Sequence, residues 1–317
     1  MIFGTLPDGR EVQKITIRNG DLSAGILTYG AILNEVRLDG VAHNLTLGSD
    51  KLDDYLGVMK YYGAIVGPVA NRIKGARARI GGIEHMLTPN EGRNILHSAN
   101  GGAHAKLWVI EDQTDATVTL STLLPDGEAG FPGNQKVMVH FAALPDSTLR
   151  MEITATTDED ALINIVNHSY WTMSATPDYS GQSLQVHAKS YLPVDAETLP
   201  TGEVAEVDGT PFDFRQPQVL KAGDPALDNN WCLSRIRLPL RDVAVLKGDV
   251  TMTVATDMPG MQIFDGRNTH LAGFERYAGL AFEPQFWPNA PHESDFPRIL
   301  FKAGEVWTQA VEWRFTR

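Results

Sequence analysis

The sequence predicts an all-β protein, a large β-sandwich, and three observations carry that prediction. Apolar residues recur with period two in segment after segment, turn-forming clusters separate those segments, and no stretch sustains a helical repeat over three turns. Extended candidates rich in Val, Ile, Thr and aromatics cover 22–38, 61–67, 116–124 and 136–144. In 148–157, TLRMEITATT, Leu149, Met151, Ile153 and Ala155 share one face, with Arg150, Glu152 and Thr154 on the other. Further candidates are 162–168, 184–191, 250–256, 261–265 and 279–286. VWTQAVEWRF reads as a closing strand, with Trp307, Val311, Trp313 and Phe315 on one side and Thr308, Glu312 and Arg314 on the other. Pro7-Asp8-Gly9, Pro125-Asp126-Gly127, Phe131-Pro132-Gly133-Asn134 and Val207-Asp208-Gly209 mark turns. The best short helix is Leu52–Leu56, with Asp50 as its candidate cap. No low-complexity linker, repeat or composition shift divides the chain, so 1–317 is expected as a single domain.

Composition narrows the function classes. With 27 Lys plus Arg against 39 Asp plus Glu, the 317 residues carry a formal charge of −12, which disfavours nucleic acid and anionic membrane as partners. At 43% hydrophobic and 21% charged the chain can bury a large core. Its one cysteine, Cys232, excludes an internal disulfide and a cysteine-built zinc cluster. The N-terminus lacks the features of a secretory signal, and no run of about 18 apolar residues occurs. A cytoplasmic protein, monomer or homodimer, is expected.

Standard signatures are absent: no G-x-G-x-x-G, P-loop, H-E-x-x-H or G-x-S-x-G. The densest basic stretch is Asn71 to Arg79. Read as a strand, it sets Arg77 and Arg79 on one face and Arg72 and Lys74 on the other, and Lys74, Arg77 and Arg79 fit a solvated edge.

Four separated segments embed catalysis-type polar residues among apolar ones: Asn94-Ile95-Leu96-His97, Asn167-His168-Ser169-Tyr170-Trp171, Leu227-Asp228-Asn229-Asn230-Trp231 and Ala281-Phe282-Glu283-Pro284-Gln285. With LPDGREV, LTYGAILNEVRL, DDYLG, ANRI at 70–73, FPGN at 131–134, YLPVDAETLPTG at 191–202, GTPFDFR at 209–215 and FEPQFWPNAP at 282–291, they resemble the aldose 1-epimerase (galactose mutarotase) family along nearly the whole chain.

That resemblance implies a β-supersandwich, a site without metal or cofactor, and interconversion of the α and β anomers of a free aldose. It makes Glu283 the base and His168 the acid, with His97 assisting at the same oxygen or binding the sugar. Arg72, Asp228 and Gln262 would hold hydroxyls, and Phe264 would meet a sugar face. The family's G-R-Y-A-N-R, L-H-G-G, D-H-N-F and E-T-Q stand here as GPVANR, LHSA, DNNW and EPQ. These departures alter the pocket lining, so the preferred sugar is not carried over.

The chemistry suits these residue types. Opening a cyclic hemiacetal removes a proton from the anomeric hydroxyl and delivers one to the ring oxygen, so one base and one acid suffice. If His168 stands near Glu283 in a site lined by Trp171 and Phe282, attraction favours carboxylate plus imidazolium, burial opposes both charges, and the pair titrates jointly. Three other readings remain. One is a noncatalytic sugar-binding sandwich. Another is a hexose-6-phosphate 1-epimerase using Arg77, Arg79 or Arg93. The third is a metal hydrolase in which His104 joins His168 and Glu283.

Overall fold

A nine-stranded antiparallel sheet forms the spine of the computed structural model, which describes residues 1–269 and 273–317. Its strands lie in the order Val109–Gln113, Thr117–Leu124, Gln135–Leu144, Thr148–Thr157, Val306–Thr316, Thr251–Thr256, Arg241–Lys247, Ser183–Val186 and Gln218–Val219. Alternation sets the register: Leu149 pairs with Trp313, Met151 with Val311 and Ala155 with Trp307, and all six side chains are buried. The face expected of the closing strand is the face it buries.

A four-stranded N-terminal sheet, Ile2–Thr5, Glu11–Asn19, Leu22–Leu27 and Leu33–Leu38, packs against this spine, and Asn19 Nδ2 donates to Ala143 O at 3.1 Å. The expected single extended segment 22–38 is therefore two strands. Gly30 and Ala31, with φ of 64° and 44°, turn the chain between them.

The third large sheet runs Tyr170–Trp171, Leu280–Gln285, Gly260–Phe264, Asp228–Cys232, Ser190–Leu192, Ala205–Glu206. Trp171, Leu280, Phe282, Ile263, Met261 and Trp231 point from it into the main core, which extends from Ile15 to Phe315. Trp171 lies 5.2 Å from Trp313 and 5.7 Å from Phe315, ring to ring. With the apolar face committed, the period of two sends Tyr170, Asp228, Asn230, Gln262, Phe264 and Glu283 to the opposite face.

Other extended expectations are trimmed. Of 61–67 only Ile65–Val66 pairs, 162–168 splits into Ala161–Leu162 and Val166–Asn167, and 184–191 divides between two sheets. The helix occupies Leu52–Leu56, but Asp50 does not cap it. Lys51 holds the cap position without a side-chain bond, and its N–H goes to Ser49 Oγ at 3.1 Å. Arg72 and Lys74 do not share a strand face, because Arg72–Ile73 gives way to a 3₁₀ turn, Lys74–Ala76, with Gly75 at φ 63°. Arg77 and Arg79 do share the exposed face of Arg77–Ile80. Among the described residues no helix is long and apolar enough to cross a membrane.

Candidate active site

Three neighbouring strands bring Asn230, Gln262 and Glu283 into one cross-strand row, and the next row in the same direction holds Asp228, Phe264, Ala281 and Tyr170. Glu283 therefore leaves the core sheet toward the cleft while its neighbour Phe282 enters the core. Phe282 and Trp171 are each 0% exposed and face away from Glu283's side, so neither lines the cleft as expected.

His168 arrives by a different route. Val166–Asn167 pairs with Ile65–Val66, His168 N–H donates to Ala64 O at 3.0 Å, and Asn167 Nδ2 donates to Gly63 O at 2.7 Å. Its ring lies stacked with those of Tyr170 at 5.2 Å and Tyr61 at 6.2 Å. Its Nε2 stands 3.6 Å from Glu283 Oε1. Both residues are buried, and His168 Nδ1 and Glu283 Oε2 have no hydrogen-bond partner within the protein. Buried polar atoms without a protein partner are costly, and each member of this pair carries one.

His97 is held as rigidly. It and Asn71 both adopt left-handed backbone, φ 53° and 59°, and exchange two bonds: His97 N–H to Asn71 O at 3.0 Å and Asn71 N–H to His97 Nδ1 at 3.1 Å. Because Nδ1 accepts, the proton of the neutral ring sits on Nε2. The His97 and His168 rings meet edge-on at 5.1 Å. The next residue, Ser98, at φ 60°, both donates to Val69 O and accepts from Val69 N–H at 2.9 Å. Ser98, a departure from the family pattern, thus ties its turn to the main chain of residue 69.

Arg72 is nearly buried and gives two N–H groups to Glu91, Nε to Oε2 at 2.6 Å and Nη2 to Oε1 at 2.9 Å, while its Nη1 lies 4.0 Å from Asp228 Oδ2. Asp228 Oδ1 accepts from Gln262 Nε2 at 2.7 Å. Phe264 is half-buried, with the Arg267 guanidinium 5.7 Å from its ring centre. Asp228, Asn230 and Gln262 line one shallow depression together with Asn71, Leu192 and Pro200. All seven residues singled out from the sequence lie in one connected neighbourhood.

Burial dominates the electrostatics. It pushes Glu283 up to about 8, helped by the Asp228 carboxylate and opposed by Arg72. It pushes His168 down to about 4. His97 falls well below its usual value through burial, then through repulsion from His168 and Arg72. Asp228 is raised by burial, against the pull of Arg72, Arg267 and Gln262. For this pair burial favours a neutral acid beside a neutral imidazole over carboxylate beside imidazolium.

Three further residues were not legible as site residues. Glu91 is the partner of Arg72, Asn230 is buried with both amide atoms unpaired, and the Tyr61 ring contacts His97 at 4.7 Å. His104 packs on Tyr61 at 4.8 Å and stands outside the cluster in which His97, His168 and Glu283 bring one ligand atom each within 4.8 Å of one another. Arg93, considered for a phosphate, is bound bidentately by Glu197 at 2.8 and 3.3 Å.

Fold and cleft together define an all-β protein in which a buried imidazole–carboxylate pair stands near an arginine and an aspartate. The chain belongs to the aldose 1-epimerase family, an isomerase family whose model matches residues 13–314. It is 31% identical over 335 residues to the galactose mutarotase of Bos taurus, covering 99% of this chain and 97% of that protein. To the aldose 1-epimerase of Escherichia coli K12 it is 29% identical over 339 residues, covering 98% and 96%. Among solved structures, an aldose epimerase homologue from C. elegans superposes with a TM-score of 0.91 at 26% identity, covering 96% of this chain and 99% of that one. The galactose 1-epimerase of Lactobacillus acidophilus NCFM gives 0.87 at 27%, covering 99% and 97%. The β-supersandwich expectation holds.

Proposed function

We propose that this chain, acting as one domain in the cytoplasm, interconverts the anomers of a free, uncharged aldose by proton exchange between the sugar and the Glu283–His168 pair. The observation that carries this reading is the 3.6 Å approach of the two buried side chains in the neighbourhood of Arg72 and Asp228.

Proton accounting explains why the pair is buried. Opening the ring takes the anomeric proton onto the Glu283 carboxylate and gives the His168 imidazolium proton to the ring oxygen. What remains is a neutral carboxyl and a neutral imidazole, the state that burial favours. The pair carries one proton before and after, so no net charge enters or leaves the cleft. Burial thus favours the open-chain complex, whose aldehyde turns about the bond to its neighbouring carbon before the same two protons return and close the ring on the other face. His97, a fixed Nε2–H donor, supports the oxygen that gains charge. No step calls for a metal.

The cleft arginines favour an uncharged substrate over a phosphorylated one. Arg72, Arg93 and Arg267 are each already gripped by a carboxylate, Glu91, Glu197 and Asp265. The test is polarimetry or exchange NMR on freshly dissolved hexoses, pentoses, deoxysugars and a hexose 6-phosphate. Faster equilibration of a free aldose is expected. Binding without acceleration would mark a noncatalytic sandwich, and acceleration of the phosphate alone would overturn the choice of substrate.

A further inference from the structure

An arginine that reads hydroxyls must present a fixed edge, and Arg72 cannot fix its own. Of its five N–H donors two are taken by Glu91, through Nε and Nη2, which leaves the Nη1 edge turned toward Asp228 Oδ2, 4.0 Å away. We infer that Glu91 is a positioning residue: it locks the guanidinium plane so that Arg72 Nη1 and Asp228 offer one donor and one acceptor, side by side and unjoined, to neighbouring sugar hydroxyls. The inference rests on the anomer-exchange reading above and adds to it a residue that never touches the reacting atoms.

Glu91 is 39% exposed, and an exposed ion pair ordinarily contributes little. Here the carboxylate comes from a braced turn. Glu91 N–H donates to Asn94 O at 3.1 Å and Asn94 N–H returns to Glu91 O at 3.0 Å. Asn94 is buried; its Oδ1 accepts from Gly75 N–H at 2.9 Å and its Nδ2 donates to Glu197 Oε2 at 2.8 Å. The Glu91 carboxylate therefore meets Arg72 in a set position rather than as one of many rotamers. Without it, the nearest carboxylate to Arg72 is Asp228. The 4.0 Å gap would close, and both groups would spend on each other the bonds the sugar needs.

The experiment compares wild type with Glu91→Asp, Glu91→Gln and Glu91→Ala, using steady-state polarimetry on the best aldose and calorimetric titration of the same sugar. Loss of an interaction made equally in ground and transition states raises KM and spares kcat. Glu91→Ala and Glu91→Gln should raise KM and Kd about tenfold with kcat within about twofold, and Glu91→Asp should fall between them and wild type. A second readout separates positioning from damage. Glu91→Ala and Glu91→Gln remove a negative charge from the cleft and draw Arg72 onto Asp228, and both effects favour the Glu283 carboxylate, so the alkaline limb of kcat/KM moves to lower pH. Unchanged KM and Kd in Glu91→Ala, or a fall in kcat at constant KM, would overturn the inference. If wild type accelerates no sugar, the functional reading fails, and the calorimetric comparison still decides the role of Glu91.

Discussion

Glu283 Oε1 and His168 Nε2 face each other at 3.6 Å, and the two groups behave as a single proton-holding unit. Below about 4 His168 gains a second proton for the pair; above about 8 Glu283 loses the only one. The singly protonated pair, wherever its proton sits, is the form that can both give and take. The kcat/KM profile should therefore be a broad bell with limbs near those two values, flat from about pH 5 to 7. A stopped-flow or polarimetric pH series checks it, and a profile still rising through pH 9 would remove Glu283 from proton transfer.

Replacing Glu283 by Gln should lower kcat by about a hundred- to ten-thousand-fold while leaving the Kd for sugar within a few-fold, since Arg72 and Asp228 are untouched. Stability should move the other way. The folded pKa of about 8 lies above the ordinary 4.5, so the wild type is favoured below about 4.5 and loses stability as pH rises through 8. The amide has no proton to lose. The melting temperature of Glu283→Gln should exceed that of wild type at pH 8–9, with the gap shrinking toward pH 5. A lower melting temperature across the range would contradict the electrostatics described for the site.

His97 makes a spectroscopic prediction. Since Asn71 N–H donates to its Nδ1 and burial resists a second proton, the ring should be the Nε2–H tautomer throughout the neutral range. Long-range ¹H–¹⁵N spectra of labelled protein should show one protonated and one bare ring nitrogen at pH 6 with no titration between pH 6 and 8. An imidazolium signal at pH 6 would make His97 the more basic ring and the proton donor in place of His168.

The sequence exposes residues whose pattern survives in one strand and hides those that depend on a partner far away. Glu283 stands out because a carboxylate interrupts AFEPQFW, and the alternation that buries Phe282 is what frees it. Glu91 lies in the aperiodic turn NEGRN, and only the pairing of Arg72 with Leu96 brings that turn to the arginine. The expected extended segments omit several strands of the fold, among them Ile2–Thr5, Glu11–Asn19, Val109–Gln113, Asp228–Cys232 and Arg241–Lys247. Arg241–Lys247 carries a register shift between Asp242 and Ala244 that breaks its period of two. Trp171 closes the segment Asn167–Trp171, and its pairing with Leu280 decides between pocket wall and core by turning its ring toward Trp313.

That orientation separates two aromatic residues by experiment. Trp171 is fully buried against Trp313 and Phe315 on the core side of the sheet, whereas Phe264 is half-buried on the cleft side, opposite Asp228 in register. Trp171→Ala should cost about 3–5 kcal/mol of folding stability through lost burial and a cavity. At a temperature where the variant stays folded, its KM should stay within about twofold of wild type, because an interaction that the sugar never makes cannot be removed from binding. Phe264→Ala should do the reverse. Its half-exposed ring stands to lose less on truncation, about 1–2 kcal/mol, since less area leaves the interior. But the C–H face of the sugar loses its platform, and KM should rise about five- to tenfold. Chemical denaturation and initial-rate polarimetry on the two variants, measured side by side, give four numbers. A raised KM for Trp171→Ala, or an unchanged KM for Phe264→Ala, would put the sugar on the wrong side of the sheet.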